Sequence, residues 1–298
     1  MTNRPAGAAM TLAEWIILAL KASLFLVVFS LGLRATLKDI AYLLARPMLL
    51  FKSILSMNIV MLGFALAAAS VFPLPLPLQI ALLGLAMAPV PPILTWKQKR
   101  AAGTSSYAIS LCVTASFLAI ILVPLAVALA DAVFQEEYRM PSIRIVPIVL
   151  ISVIVPLVLG MLVERFAPAT AARIAQPVGA LGTALLILAA LPVIFVTLPA
   201  VWVLVGRGLL LFLALFTAFG LLVGHTLGGP HAHDRVVLAL ATGTRHPGVA
   251  MAIAAYNFPD EKAAVAVVLL HVFIGALVAI PYLKFARIRA APAHDLDR

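Results

Sequence analysis

An arginine and a histidine stand next to each other inside a long apolar stretch of the sequence, at Arg245 and His246. An ionisable side chain is costly at membrane depth, so both residues are functional candidates. Arg245 would attract an anion, because the central parts of the apolar stretches contain no aspartate or glutamate to neutralise it. Two other interpretations stay open: Arg245 extends to the membrane surface, or it is a static clamp on free backbone carbonyls.

Three further residues are candidates for contact with a substrate. His271 lies in the middle of the last apolar stretch. Histidine side chains ordinarily titrate near neutral pH, so His271 and His246 are the residues to which proton coupling would be assigned. A lone histidine in an apolar helix is nevertheless more often a packing or hydrogen-bonding residue. Thr244 and Thr95 lie beside the two interrupted segments described below and would add hydroxyl groups to the site.

Other polar residues fit structural interpretations better than functional ones. Lys21 is expected to extend toward the membrane surface or to pair with Glu14. His231, His233 and Asp234 are metal-ligand types, but they follow Gly-Gly-Pro and are interpreted as a solvated turn, so no metal site is predicted. The sequence also lacks nucleophile-elbow, phosphate-loop and zinc-protease motifs, which argues against an enzyme, an ATP-driven pump or a cofactor.

The composition requires a membrane. Hydrophobic residues make up 64% of the 298 residues and charged residues only 11%, whereas soluble domains have about 45–50% and about 25%. A soluble fold could not bury this much apolar surface, so the excess is expected to face the lipid bilayer. The net charge of +10 comes mainly from short connections between apolar runs, and no nucleic-acid-binding motif accompanies it.

Continuous apolar runs predict an all-α polytopic membrane protein with about nine transmembrane helices. A helix needs about 20 apolar residues to cross the hydrocarbon region, whereas the strands of a barrel would alternate apolar and polar residues. The predicted spans are 12–33, 48–72, 76–96, 104–130, 142–163, 178–198, 202–227, 234–257 and 262–285.

Basic residues in the connections predict the orientation, because Lys and Arg resist transfer across the membrane. Connections after the odd-numbered spans hold most of them, among them Lys97, Lys99 and Arg100. Only a few, such as Arg139 and Arg207, fall on the other side. The chain is therefore expected to lie in the cell inner membrane with its N-terminus outside and its C-terminus in the cytoplasm.

Two predicted spans are interrupted near their middle, the third at residues 88–92 and the eighth at residues 243–248. Both segments contain proline and the second also contains glycine, so both helices are expected to open inside the membrane. The two spans cross in opposite directions, which predicts inverted repeats, with an N-terminal repeat (1–141) that lacks its first helix and a C-terminal repeat (142–298). Paired broken helices of this kind indicate the binding site of a secondary transporter.

Nearly the whole chain resembles the bile acid:sodium symporter superfamily. The resemblance rests on the order and spacing of several segments. In the N-terminal half these are Phe29-Ser30-Leu31-Gly32-Leu33, followed by Arg46-Pro47, and the break at Pro89. In the C-terminal half they are Pro156-Leu157-Val158-Leu159-Gly160 and the run from Ala241 to Ala250, which leads to Asn257-Phe258-Pro259. The resemblance implies a core domain of spans 2, 3, 4, 7, 8 and 9 that moves against a panel of spans 1, 5 and 6. Nine-span members that lack the first helix belong to this superfamily.

The sequence departs from the family pattern at the positions that help to coordinate sodium and to contact substrate. In the eighth span, Ala241, Arg245 and His246 replace a Glu, a Gln and an Asn. The third span carries prolines and Thr95 where the family usually has a Ser-Asn crossing. His271 matches a histidine near the family's substrate pocket.

These departures lead to the hypothesis that the positive charge of Arg245 replaces bound sodium. The chain would then be a sodium-independent transporter of a small organic anion by alternating access, driven by protons or by the substrate gradient. The alternative is a membrane ligand sensor or receptor that binds at the same site without transport. The sequence makes no prediction of the oligomeric state.

Overall fold

The computed structural model describes residues 11–91, 104–134, 150–258 and 260–290, and every regular element among them is helical, which confirms the all-α fold class. The α-helices are α1 (Leu12–Gly32), α2 (Leu37–Leu44), α3 (Pro47–Ile54), α4 (Met61–Val71), α5 (Leu76–Met87), α6 (Ser105–Phe134), α7 (Val155–Phe166), α8 (Pro168–Val205), α9 (Leu209–Leu227), α10 (Ala232–Gly243), α11 (Pro247–Asn257) and α12 (Lys262–Ala290). Two π-helical segments, Leu55–Val60 and Leu150–Ile154, precede α4 and α7.

Seven helical stretches among the described residues are long and apolar enough to cross a membrane. One of them combines α3, the π-helical segment and α4 (Pro47–Val71), and another combines α10 and α11 (Ala232–Ala255). The third and fifth predicted spans extend into residues 92–103 and 135–149, which lie outside the described part of the chain. The total of nine spans and the repeat boundary at residue 141 therefore stay predictions.

Large apolar side chains cover the outer surface of the helix bundle. The exposed fraction is 72% for Phe195 and 73% for Trp202, both on α8. Contiguous apolar surface of this kind is unfavourable in water but is stable against acyl chains. Together with the apolar helices, it identifies the chain as a multi-pass membrane protein.

The first helix illustrates how local sequence sets a helix boundary. Thr11 and Glu14 form a capping box, in which the backbone N–H of Thr11 donates to the Glu14 carboxylate at 2.8 Å. The helix ends at Gly32, which agrees with the predicted span. Lys21 is exposed on α1, which fits the prediction that it extends away from the helix bundle.

Helices α1, α7 and α8 pack together and form what we call the panel group. A Cβ added to Gly160 of α7 would lie 2.8 Å from the Cα of Gly32 on α1, so these two backbones are in direct contact. On α8, a Cβ at Gly182 would lie 2.9 Å from the backbone nitrogen of Val27. The members of this group match the panel of spans 1, 5 and 6 that the family resemblance implies.

The predicted limits of the sixth and seventh spans are wrong. Helix α8 is 38 residues long and includes three prolines inside it, so the helix extends well beyond residues 178–198. The next helix begins at Leu209 and not at residue 202, after a turn in which Gly208 adopts a φ of 85°. This left-handed conformation strongly favours glycine and sets the start of α9.

Helices α9 and α10 touch through their backbones beside the break in the eighth predicted span. A Cβ at Gly220 of α9 would lie 2.8 Å from both the Cα of Gly243 and the carbonyl oxygen of Thr242. This packing fixes the C-terminal end of α10, and therefore the residues that follow it.

Replacing Gly220 by Ala is expected to destabilise the protein by about 1–3 kcal/mol, because the new methyl group overlaps backbone atoms that cannot rotate away. Thermal unfolding of the purified protein in detergent measures the change. Gly63→Ala is the matched control, since a Cβ at Gly63 has no heavy atom within 4 Å and the residue also lies inside a helix. Equal melting temperatures for the two variants would contradict the close packing of α9 on α10.

Candidate functional site

The end of one helix and a break in another meet inside the bundle. Helix α5 ends at Met87, and Ala88 is extended. Helix α10 ends at Gly243, Thr244 is extended, and α11 begins at Pro247. The backbone N–H of His246 donates to the carbonyl oxygen of Pro89 at 3.0 Å, so the two breaks are in direct contact. This confirms the predicted opening of both helices up to Pro91; the continuation after it lies outside the described residues.

Arg245 joins three helical segments at this crossing. Its side chain is buried, with an exposed fraction of 3%. Its Nη1 donates to the carbonyl oxygen of Ala88 at 3.4 Å, and its Nη2 donates to the carbonyl oxygen of Met57. The bond to Ala88 is the contact that the clamp interpretation predicts. Arg245 Nε has no hydrogen-bond partner within the described part of the chain.

The Met57 carbonyl is accessible to Arg245 because it belongs to the π-helical segment Leu55–Val60. A π-helix widens the backbone and shifts its hydrogen-bond pattern, which leaves carbonyl groups for other donors. Nearby, the hydroxyl groups of Ser56 and Thr242 lie 2.7 Å apart and share a buried hydrogen bond. The segment therefore forms the third side of the crossing, and the sequence analysis did not predict it.

A cavity of about 240 Å³ lies between the crossing and the panel group. Thr244, Arg245, His246 and His271 all line it, so the structure brings together four of the five residues predicted as substrate-binding. Thr95, the fifth, lies outside the described residues. Helices α1 and α8 close the other side of the cavity with apolar side chains such as Leu24 and Ile187.

Two hydroxyl groups on the panel side of the cavity, those of Ser23 and Thr183, were not predicted as site residues. Each donates to a backbone carbonyl of its own helix, Ser23 to Leu20 and Thr183 to Gly179, both at 2.8 Å. Serine and threonine make such bonds in many membrane helices, so their residue type did not indicate a site. The available signal was that Ser23 and Thr183 are polar residues inside two apolar helices that pack together.

His271 lies on the core side of the cavity. It is buried on α12, and its ring meets the ring of Phe216 edge to face, with 5.5 Å between the centroids. This contact orients the imidazole beside the cavity. The position agrees with the predicted one, while its role in binding or packing stays a prediction.

Asp234 departs from the predicted solvated turn. His231 and His233 are exposed, but Asp234 at the start of α10 is buried and accepts a hydrogen bond from Thr104 at 2.7 Å and from Tyr42 at 3.4 Å. Burial raises the pKa of Tyr42, which keeps the phenol a neutral donor. This network could not be predicted, because its members are far apart along the chain.

Among the described residues, no group of three or more His, Cys, Asp or Glu side chains is placed to hold a metal ion. The cavity likewise lacks an acidic side chain among its described lining residues, and the guanidinium of Arg245 is its permanent charge. A cavity of this kind suits a negatively charged ligand with an apolar part.

A cavity where a helix end and a broken helix meet inside an all-helical membrane protein is typical of secondary transporters. The comparison with protein families is specific: the sequence profile of the Sodium Bile acid symporter family matches residues 22–204. The chain therefore belongs to the Sodium Bile acid symporter family, which is a family of transporters. No curated protein matches the chain.

Proposed function

We propose that the chain is a secondary active transporter of a small organic anion, and that it works by alternating access without sodium at the family's usual sites. The observation that carries this proposal is the position of the Arg245 guanidinium between the carbonyl oxygens of Met57 and Ala88. In this proposal the substrate is moved and not chemically converted.

Unwound backbone carbonyls in broken transporter helices are the groups that coordinate sodium. Here two such oxygens, from the π-helical segment and from the break after α5, already accept hydrogen bonds from one guanidinium. The guanidinium supplies a permanent positive charge and uses acceptors that a cation would need. Ala241, where the family pattern has a Glu, is fully buried and has no side-chain oxygen to offer.

Charge and size support an anion of modest dimensions. No opposite charge from the described lining residues balances Arg245, so a bound anion would be stabilised in this weakly polar environment. Pockets for drug-sized ligands span roughly 300–1,000 Å³, and the cavity here has about 240 Å³. These dimensions favour a small acid over a bile acid, and Leu24, Val27 and Leu186 would contact its apolar part.

The position of the cavity supports alternating access. It lies between the panel group, whose helices touch through glycine backbones, and the crossing, whose breaks are joined by hydrogen bonds. Two internally rigid groups with a ligand cavity between them can slide against each other and expose the cavity to either side. The proposal keeps the N-terminus outside and the C-terminus in the cytoplasm.

Uptake into proteoliposomes tests the proposal. We expect uptake of one or more of radiolabelled succinate, malate, lactate and benzoate, with equal rates in sodium and in choline buffers. Taurocholate represents the bile acids and is expected to be excluded by size. Liposomes without protein correct for passive diffusion of the acids.

Two results would contradict this proposal in different ways. Stimulation by sodium would overturn the sodium independence, because it requires a cation site that Arg245 does not replace. Saturable binding of an acid without any uptake would favour the alternative function, a membrane ligand sensor built on the same fold.

A further inference from the structure

The imidazole of His246 is a buried polar group without a hydrogen-bond partner. Its exposed fraction is 5%, and neither Nδ1 nor Nε2 has a partner within the described part of the chain. A buried polar group left unpaired is unfavourable, so such a group indicates a missing ligand or water. His246 lines the cavity, which places this unused hydrogen-bonding capacity at the proposed substrate site.

Arg245 and His246 both line the cavity, but their side chains have different contacts. Arg245 donates to the carbonyl oxygens of Ala88 and Met57. The His246 ring has no such bond within the described part of the chain and keeps its hydrogen-bonding capacity for a ligand.

The His246 ring lies at the boundary with the panel group. A Cβ added to Gly248 would lie 3.4 Å from Cε1 of His246 and 3.2 Å from Cδ1 of Leu24 on α1. The His246 ring and the Leu24 side chain are thus both close to the Cβ position of Gly248. His246 therefore lies close to the boundary between the crossing and the panel group.

Few charged or titratable groups face His246. From its own broken helix comes Arg245, and from α12 comes His271. The other described lining residues do not titrate: α1 contributes Ser23, Leu24 and Val27, α8 contributes Thr183, Leu186 and Ile187, and the break after α5 contributes Pro91. A proton that binds in this cavity with an anionic substrate therefore has only the two histidines as acceptors among the described residues.

We propose that His246 is the proton-binding group of this site and that a small dicarboxylate is moved together with one proton. The inference rests on the proposed function, and it adds the substrate class and the coupling ion.

The charge balance supports a dicarboxylate. In the empty cavity, a protonated His246 would place a second buried cation beside Arg245, which is unfavourable without a counterion. A monocarboxylate balances Arg245 alone and leaves His246 neutral. A dicarboxylate has two negative charges, which balance Arg245 and a protonated His246 together. Binding of the dianion therefore favours binding of the proton, and the proton favours binding of the dianion to the same extent.

The proton step needs no additional reactant. A proton from the water on the open side forms a bond to one ring nitrogen of His246, while the substrate carboxylates enter. After the panel group and the crossing have slid against each other, the cavity is open to the other side of the membrane. The N–H bond then breaks, and the proton and the dianion leave to the water on that side. No electron is transferred, and Arg245 keeps its charge throughout.

Proton movement during uptake tests this inference. Proteoliposomes that contain a trapped pH-sensitive dye are given the same acids as above, without sodium. We expect internal acidification with succinate or malate that exceeds the signal of protein-free liposomes, and no such excess with lactate or benzoate. Lowering the external pH by about two units, across the range in which histidine titrates, should raise dicarboxylate uptake several-fold.

The variant His246→Gln isolates the histidine, because glutamine retains a donor and an acceptor but cannot bind a proton. It is expected to lose the acid-dependent proton signal and the pH dependence. Its dicarboxylate uptake should fall more than any uptake of lactate or benzoate, because a neutral glutamine cannot balance the second carboxylate. His231→Gln is the matched control, since His231 is exposed in the connection before α10. If the His246→Gln protein does not fold, calorimetric proton counts for succinate binding to the wild type, in two buffers with different ionisation enthalpies, replace it.

The outcomes separate the two proposals. If no acid is transported, the proposed function fails. If acids are transported without any proton signal, if only monocarboxylates are transported, or if His246→Gln retains the signal, this inference is overturned while the proposed function stands. A proton count near zero on succinate binding overturns it as well.

Discussion

Replacing Arg245 by Met is expected to reduce organic-acid uptake at least tenfold. Methionine has a similar length but no charge and no donors, so the cavity loses its permanent positive charge. The carbonyl oxygens of Met57 and Ala88 lose their buried donor at the same time. Leaving buried acceptors unsatisfied costs about 1–3 kcal/mol each, so a lower melting temperature should accompany the loss of uptake.

Initial uptake rates at matched protein density measure the effect, and thermal unfolding in detergent measures the change in stability. Arg235→Met is the matched control. Arg235 lies on α10, the helix that ends just before Arg245, and also donates to a backbone carbonyl, that of Gly229 at 2.7 Å, but it does not line the cavity. Its variant should transport within about twofold of the wild type, because an exposed or half-exposed polar contact contributes little.

The variant Arg245→Lys separates charge from geometry. Lysine keeps one positive charge, but its single ammonium group cannot hold two carbonyls in the planar arrangement of a guanidinium. We expect partial uptake and a lower melting temperature than in the wild type. Wild-type uptake by Arg245→Met would contradict the proposal that this charge replaces bound sodium.

The positions of the breaks could be predicted from sequence because they are encoded in single residues. Pro89 and Pro91 cannot continue α5, and Pro247 is favoured at the first turn of α11, so the chemistry of proline determines both ends locally. Arg245 and His246 were equally visible, since charged groups are rare at membrane depth. The prediction that the two breaks meet required the additional argument of inverted symmetry.

Features set by tertiary packing could not be predicted in the same way. The π-helical segment Leu55–Val60 has no distinctive residue pattern, and its free Met57 carbonyl is matched by a donor from a distant helix. The sixth span is predicted to end at residue 198, yet α8 continues through Pro192 and Pro199 to Val205, because proline is tolerated in membrane helices when neighbouring groups satisfy the freed backbone. Which hydroxyl groups face the cavity likewise depends on how α1 and α8 pack.

A reversible cross-link between α1 and α11 is expected to stop transport. The double variant Leu24→Cys and Gly248→Cys places the two cysteines at neighbouring positions, since a Cβ at Gly248 would be 3.2 Å from the Leu24 Cδ1. If the panel group slides against the crossing, a disulfide here holds the two together. Oxidation should therefore lower uptake at least tenfold, and a reducing agent should restore it.

A cross-link within the panel group distinguishes blocked sliding from general rigidity. In Ser30→Cys with Gly179→Cys, the two Cβ positions are 3.3 Å apart, close to the roughly 3.5–4.5 Å of disulfides. This bond joins α1 to α8, which move together in the proposed mechanism, so oxidation should leave uptake unchanged. The native Cys112 is buried and does not interfere. Undiminished uptake by a fully cross-linked 24–248 protein would mean that the cavity opens without displacement of α1 from the crossing, and the two-group mechanism would have to be abandoned.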